Sequence, residues 1–221
     1  MPASTLPAPA PPGPIAVHYA DPDILLVEKP PGLLSVPGKT EPDCVEARLR
    51  EQYPEALTVH RLDMATSGLM VFARNRAAQR HLGLQFERRH VDKRYEAVVW
   101  GEVDGQSGTI DLPLRVDWPN RPRQKVCHES GKPSVTDWLV MERWPQNGRV
   151  RTRLALFPRT GRSHQLRVHL LSMGHPILGD LLYAHPDALA ASPRLLLHAT
   201  ELSLFKPTGG ARLTVRSPVP F

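Results

Sequence analysis

HRLDMATSGL, residues 60–69, holds one carboxylate, Asp63, behind His60 and Arg61 and ahead of three turn-forming residues, Thr66, Ser67 and Gly68. An acid beside a basic residue on a tight turn has the make-up of a nucleophile held for chemistry. It is equally the make-up of an ordinary Asp bonding its own backbone, and from one carboxylate alone that plainer reading is the stronger.

The flanking segments give the fold class. Upstream, ILLVEKP (24–30) is a short apolar run ended by proline and predicts a strand; PPGLLSVPG follows as a loop. VEARLREQY (45–53), with Val45 and Leu49 four apart, predicts a short helix. Downstream, RAAQRHLGLQFERR (76–89) carries Ala78, Leu82 and Phe86 at helical spacing. RYEAVVWG (94–101) is rich in β-formers. VTDWLVMERW and RVRTRLALF predict two strands joined by a PQNG turn. In the second, Arg149, Arg151 and Arg153 alternate with Val150, Thr152 and Leu154, which puts the arginines on one sheet face, toward RNA or toward water. HQLRVHLLSMG predicts a helix ending at Gly174, and RLLLHATELSLF and LTVRS predict final strands. The expected class is α+β, with a largely antiparallel, mixed sheet flanked by helices and loops.

The 221 residues can bury one substantial core or two small ones. Residues 1–14 carry six prolines and no charged side chain, and are expected to be a disordered arm. Residues 15–221 show no repeat and no linker and are read as one catalytic domain. No apolar run reaches membrane-spanning length, and the N-terminus lacks the pattern of a signal peptide, so the cytoplasm is the expected compartment. Nothing in the chain demands more than a monomer. Cys44 and Cys127 stand far apart, which excludes a disulfide framework. The net charge is +6. Lys and Arg recur through RNRAAQR, ERRHVDKR, NRPRQK, RVRTR and PRTGR, so a folded basic surface suited to nucleic acid is expected rather than a basic tail.

Two further segments bear on Asp63. KRYEAVVWG sets Tyr95 in a strand, where a core tyrosine is the bland reading. FPRTGRSHQLRVHLLSMGHPILGDLLYA (157–184) supplies Thr160, Gly161 and Ser163 as cap chemistry before a helix, with Arg159, Arg162 and Arg167 close enough in sequence to attract phosphate. Arg167, one turn in, can point inward; paired with Asp63 it would keep that carboxylate ionised. His164 and His169 are five apart without a carboxylate between them, so a metal site is not expected. No phosphate-binding glycine loop and no GxSxG elbow occurs, which removes nucleotide cofactors and serine hydrolysis.

Four segments, in order, resemble the motifs of the RluA-type RNA pseudouridine synthases: LLVEKPPGLLSVPG with Lys29, Pro30 and Gly32; HRLDMATSGLMVFARN; KRYEAVVWG; and RTGRSHQLRVHLLSMGHPILGDLLYA, followed by RLLLHATELSLFKP. They span roughly residues 24–207. DWPNRPRQKVCHESGKP (117–133) resembles the short, dual-specificity members, which lack the S4-like domain of larger relatives. The resemblance implies Asp63 as the catalytic aspartate, Tyr95 stacking on the target base and assisting proton removal from its C5, and Arg167 pairing with Asp63. It implies Leu197 packing near the base and Arg61 filling the gap left by the extracted nucleotide. His60, Arg162 and His164 are carried over with these motifs as RNA-contacting residues.

The implied reaction breaks the N1–C1′ glycosidic bond, turns the uracil and joins C5 to C1′. It is an isomerisation without redox change and needs no cofactor. The expected partners are a 23S rRNA hairpin and the anticodon stem-loop of tRNAs. Whether Asp63 attacks C1′, attacks C6 or promotes elimination stays open. A synthase acting on a single rRNA or tRNA substrate, a non-catalytic RNA-binding protein of the same fold and a carboxylate-based nucleosidase are the competing readings. The last is disfavoured because no clear partner acid accompanies Asp63.

Overall fold

Continuous apolar runs and a short amphipathic helix build the first half of the chain. The computed structural model describes residues 13–146 and 148–221, so most of the arm read over 1–14 lies outside the described residues. The chain divides into two compact units: residues up to Val91 with Leu202–Ser217, and Asp92–Glu201 with Pro218–Phe221.

In the first unit, β1 (Val17–Ala20) and β2 (Ile24–Lys29) form an antiparallel pair. α1 (Val45–Arg50) is capped by Cys44, whose Sγ accepts the Ala47 N–H at 3.3 Å. After β3 (Leu57–Thr58) comes β4 (Ser67–Ala73), which runs antiparallel to β2 in the register Ile24↔Ala73 to Lys29↔Gly68. Every residue of β4 is buried, which accounts for its unbroken apolar character after Gly68. α2 (Arg76–Glu87) starts at Asn75, whose side chain accepts the Ala78 N–H at 2.8 Å. It buries Ala78 and Leu82 against Ile24, Leu26, Leu69 and Val71. Burial of Leu82 contributes about 1.5–3 kcal/mol, and of the Ala78 methyl about 1 kcal/mol. Gln85 on the same face bonds both backbone groups of Phe205, at 2.7 and 2.8 Å.

The second unit is a meander around one long hairpin. In chain order it has β5 (Asp92–Trp100), β6 (Ser107–Asp111), β7 (Leu114–Val116), β8 (Gln124–Val126), β9 (Val135–Gln146), β10 (Arg149–Pro158), α3 (Gln165–Ser172) and α4 (Pro186–Ala190). β10 lies between β5 and β9, and β6 pairs with β9, all antiparallel. β9 runs on to Gln146, through the proline read as part of the PQNG turn; the remaining turn residue, 147, lies outside the described residues. β6 pairs only with residues 135–139, so Pro145 sits where β9 has an open edge and no N–H is missed. β7 and β8 make a separate two-stranded hairpin. α3 stops as read, at Gly174 with φ +85°. β11 (Leu197–Phe205) passes from the second unit to the first, and β12 (Arg212–Arg216) pairs with it. The architecture is α+β with antiparallel pairing, as expected.

The arginine stripe of β10 differs from both readings given to it. Arg149 is exposed, but Arg151 is 4% exposed. It lies between its cross-strand neighbours Trp100 and Trp144, with its guanidinium 3.9 Å above the Trp100 ring. Arg153 donates to the Phe221 carbonyl at 3.0 Å and faces Glu96 at 3.6 Å. Period two fixed the face correctly; what covers that face is nonlocal. No helix among the described residues is long and apolar enough to cross a membrane.

Candidate active site

The Asp63 turn belongs to the first unit. The Thr66 N–H closes it on the Asp63 carbonyl at 3.1 Å. The turn is held from beneath by Lys29, the last residue of β2, which is fully buried. Its ammonium donates to the carbonyls of Pro30, Met64 and Thr66 at 2.8, 2.8 and 2.7 Å. Three donors thus meet three acceptors on both sides of the turn. The Met64 carbonyl also accepts the Gly32 N–H at 2.9 Å, and Gly32 has φ +82°, a conformation open to glycine without strain. Ser35 clamps Leu62 twice, its hydroxyl donating to the Leu62 carbonyl (2.8 Å) and accepting the Leu62 N–H (3.0 Å). Asp63 itself is half-buried, on a backbone fixed on both flanks.

His60 and Arg61 take opposite positions. His60 stacks on Phe86 with ring centroids 4.6 Å apart, and its Nε2 accepts the Val71 N–H at 3.0 Å. The ring packs into its own unit, and its Nε2 is taken by the backbone. Arg61 is exposed.

A second cluster is built in the other unit around α3. Arg167, 4% exposed, forks onto Asp180, 1% exposed: Nε to Oδ2 at 2.8 Å and Nη2 to Oδ1 at 2.6 Å. Asp180 Oδ1 also accepts the N–H groups of Leu182 and Tyr183 at 3.0 and 3.2 Å. The Tyr183 ring lies 5.1 Å from the Arg167 guanidinium. Its hydroxyl accepts the Gln124 N–H at 2.7 Å and shares a hydrogen bond of 2.7 Å with His164 Nδ1. His164 is held with φ 54°, a left-handed conformation costing a non-glycine residue about 1–2 kcal/mol. Arg162 is exposed, with Nε reaching the Pro133 carbonyl at 3.3 Å.

The phosphate-attracting helix start is more self-contained than its sequence suggests. Gln165 folds back so that its Oε1 accepts the Arg162 N–H (3.0 Å) and the Thr160 hydroxyl (2.7 Å). Arg159 is forked onto Asp137 at 2.6 and 2.9 Å. Farther along α3, His169 is fully buried between Thr136 Oγ1 (2.9 Å) and the Leu112 carbonyl (3.1 Å). Burial pushes its pKa below the usual imidazole value. Tyr95 is half-buried on β5 opposite Leu156, and Leu197 is buried at the start of β11.

The structure therefore groups Arg167 with His164 in one unit, and His60, Arg61 and Asp63 along one segment of the other. Asp180 and Tyr183, the partners of Arg167 and His164, were missed from the sequence. A signal was available in Gly179, where φ is +70° and a Cβ would collide with the Arg194 carbonyl. Glycine is required there to set Asp180 in place. Among the described residues no group of three or more His, Cys, Asp or Glu side chains converges to hold a metal ion.

Comparison with known proteins gives the family. The family model for RNA pseudouridylate synthases matches residues 23–172. The chain is 52% identical over 209 residues to the dual-specificity RNA pseudouridine synthase RluA of Escherichia coli, covering 94% of each. It is 57% identical over 194 residues to the protein of the same name from Vibrio vulnificus, covering 86% of this chain and 78% of that one. The structure of human RNA Pseudouridylate Synthase Domain Containing 1 matches with a TM-score of 0.83 at 31% identity, over 96% of this chain and 87% of the human one. With a buried lysine fixing the HRLD turn and a forked arginine in the GRSHQLRVH helix, this chain belongs to the RNA pseudouridylate synthase family, in its RluA-type branch, and is an RNA pseudouridine synthase.

Proposed function

We propose that the enzyme isomerises one uridine in a 23S rRNA hairpin and one in the anticodon stem-loop of tRNAs, with Asp63 as its catalytic carboxylate. Tyr95 is the flat surface for the extracted uracil, and Leu197 packs beside that base. Arg167, fixed by Asp180, is the positive charge of the reaction. Arg61 enters the gap left by the uridine, and Arg162 and His164 approach the RNA backbone. In the reaction C1′ exchanges its bond to N1 for one to C5, the C5 proton leaves, and N1 gains a proton. Residues 15–221 act as the catalytic domain, monomeric and cytoplasmic.

The observation that carries this reading is the over-determined Asp63 turn. Three carbonyl bonds from one buried ammonium and a two-way serine clamp hold a backbone that would otherwise be a free surface loop. Such a framework suits a carboxylate that must meet a sugar carbon in one geometry. The dual substrate is supported by the name and the half-identity of the bacterial relatives and by the resemblance of residues 117–133 to the dual-specificity members.

The test uses two transcripts, an anticodon stem-loop and a 23S hairpin fragment, both tritiated at uridine C5. Tritium release from both, followed by mapping of the product, is the expected result. Asp63→Asn should lower release by more than about 10³-fold while RNA affinity stays within a few-fold of the parent. Release from one transcript alone overturns the dual substrate; full activity in Asp63→Asn overturns the role of Asp63.

A further inference from the structure

The hairpin of β7 and β8 is not used by the mechanism, yet its composition and anchoring are unusual. At its tip Trp118 is 64% exposed, more than any other large apolar side chain among the described residues. Arg121 lies over one face of the indole at 3.9 Å, holding the ring upright. The tip is tied without any ligand: Asp117 N–H to the Arg123 carbonyl (2.9 Å), Arg123 N–H to the Asn120 carbonyl (3.0 Å), and Asn120 Nδ2 to Asp117 Oδ2 (2.8 Å). Residues 114–133 carry five cationic and two acidic side chains. One of those acids, Asp117, is already taken by Lys125 at 3.1 Å. Arg121, Arg123 and Lys125 are all exposed.

The anchoring leads to the site. The Gln124 N–H of β8 bonds the Tyr183 hydroxyl, and Tyr183 is the ring beneath Arg167 and the partner of His164. The hairpin therefore extends from the same group of side chains, within one unit, that the proposed function assigns to the reaction.

We propose that this hairpin is an RNA-docking arm, in which Trp118 stacks on an unpaired nucleobase of the substrate and Arg121 and Arg123 take the neighbouring phosphates. The proposal rests on the RNA-substrate reading and deepens it. A ring already held upright in a rigid tip loses little freedom on stacking. Every base offers a π-face, so an aromatic platform accepts a loop without selecting its sequence. That tolerance suits an enzyme that must grip two different stem-loops, with the choice of uridine made elsewhere.

The experiment measures Kd by fluorescence anisotropy for three labelled RNAs: the anticodon stem-loop, the 23S hairpin fragment and a U-rich single strand. The proteins are the parent, Trp118→Ala, Trp118→Phe and Arg123→Gln. Trp118→Ala should weaken binding about tenfold or more, and Trp118→Phe should recover it to within about threefold. Arg123→Gln should reduce the slope of log Kd against log salt by about one. An Ala variant within twofold of the parent on an RNA that the parent binds overturns the proposal. So does a Phe variant as weak as Ala with an unchanged melting temperature, or a parent that binds none of the three RNAs. A parent that binds but releases tritium from neither stem-loop defeats the dual-substrate reading alone, because the stacking comparison is read from binding.

Discussion

Lys29 shows what one residue can decide. A buried ammonium bound to three carbonyls cannot be replaced by an apolar side chain of similar length without leaving those acceptors unpaired. Lys29→Met is expected to cost about 3 kcal/mol or more of unfolding free energy, and to lower turnover further because the Asp63 turn loses its clamp. Lys29→Arg should fail as well, since a planar fork does not converge on three carbonyls from one point. Urea unfolding with C5 tritium release checks both; an Arg variant with parental stability and rate would refute the argument. The thiols make a second test at this scale. Cys127 lies on the hairpin at intermediate exposure, and hydrogen bonding from Ser130 brings its thiol down to about 7. Cys44 is buried, and desolvation raises its thiol. Iodoacetamide at neutral pH should label Cys127 and spare Cys44 in the folded protein. Peptide mapping that finds both labelled at equal rates would contradict this. Asp63 was legible as a candidate because turn chemistry is local. Asp180 was not, because a pair spanning thirteen residues between a helix and a following turn obeys no spacing rule.

Among elements, β10 and α3 carry charged groups inside packing. Arg151 of β10 has its Nε and Nη1 buried with no hydrogen-bond partner among the described residues, and desolvation, with Arg149 nearby, pushes its pKa down. The stacking on Trp100 contributes about 2 kcal/mol when desolvated, against about 1–3 kcal/mol for each orphaned N–H. Arg151→Met should therefore raise unfolding free energy by about 1 kcal/mol, whereas Arg151→Ala should lower it through the space left between two tryptophans. A Met variant less stable than the parent would show that the ring contact outweighs the orphaned donors. In α3, the Leu112 carbonyl requires a proton on His169 Nε2, and burial disfavours a second proton on Nδ1, which faces the Thr136 hydroxyl. The folded pKa lies below the unfolded value near 6.5, so this group's stabilisation is present above about pH 6.5 and is lost as pH falls toward the folded pKa. The slope is at most about 1.4 kcal/mol per pH unit, and His169→Gln should flatten it below about pH 6.5. Equal slopes in the two proteins would assign the loss to other groups. Strand and helix periods were legible in the longer elements, from Ile24–Lys29 to the helix before Gly174, whereas Val17–Ala20, Ser107–Asp111 and the 114–126 hairpin are too short to show one. The covering of Arg151 was not, because alternation gives a face and not its occupant.

Over the whole molecule, the excess of six positive charges is unevenly engaged. Arg48 with Asp43, Arg74 with Glu55, Arg159 with Asp137 and Lys206 with Asp21 are taken by surface carboxylates at 2.6–2.9 Å. These pairs add little stability in water and contribute little net charge to a polyanion. Among the described residues, the cations with no carboxylate within ion-pair distance include Arg61, beside Asp63, and Arg121 and Arg123 on the hairpin. If these three each meet one phosphate, the slope of log affinity against log salt is about −2 for a largely single-stranded loop. Affinity for either stem-loop should then fall about 20-fold between about 50 and 200 mM monovalent salt. The tryptophan stack, being insensitive to counterions, should leave the ratio between parent and Trp118→Ala nearly constant across that range. A slope shallower than about −1 would mean that the basic surface steers RNA from a distance without contacting its backbone. A parent-to-Ala ratio that collapses with salt would mean that Trp118 acts through the charges around it.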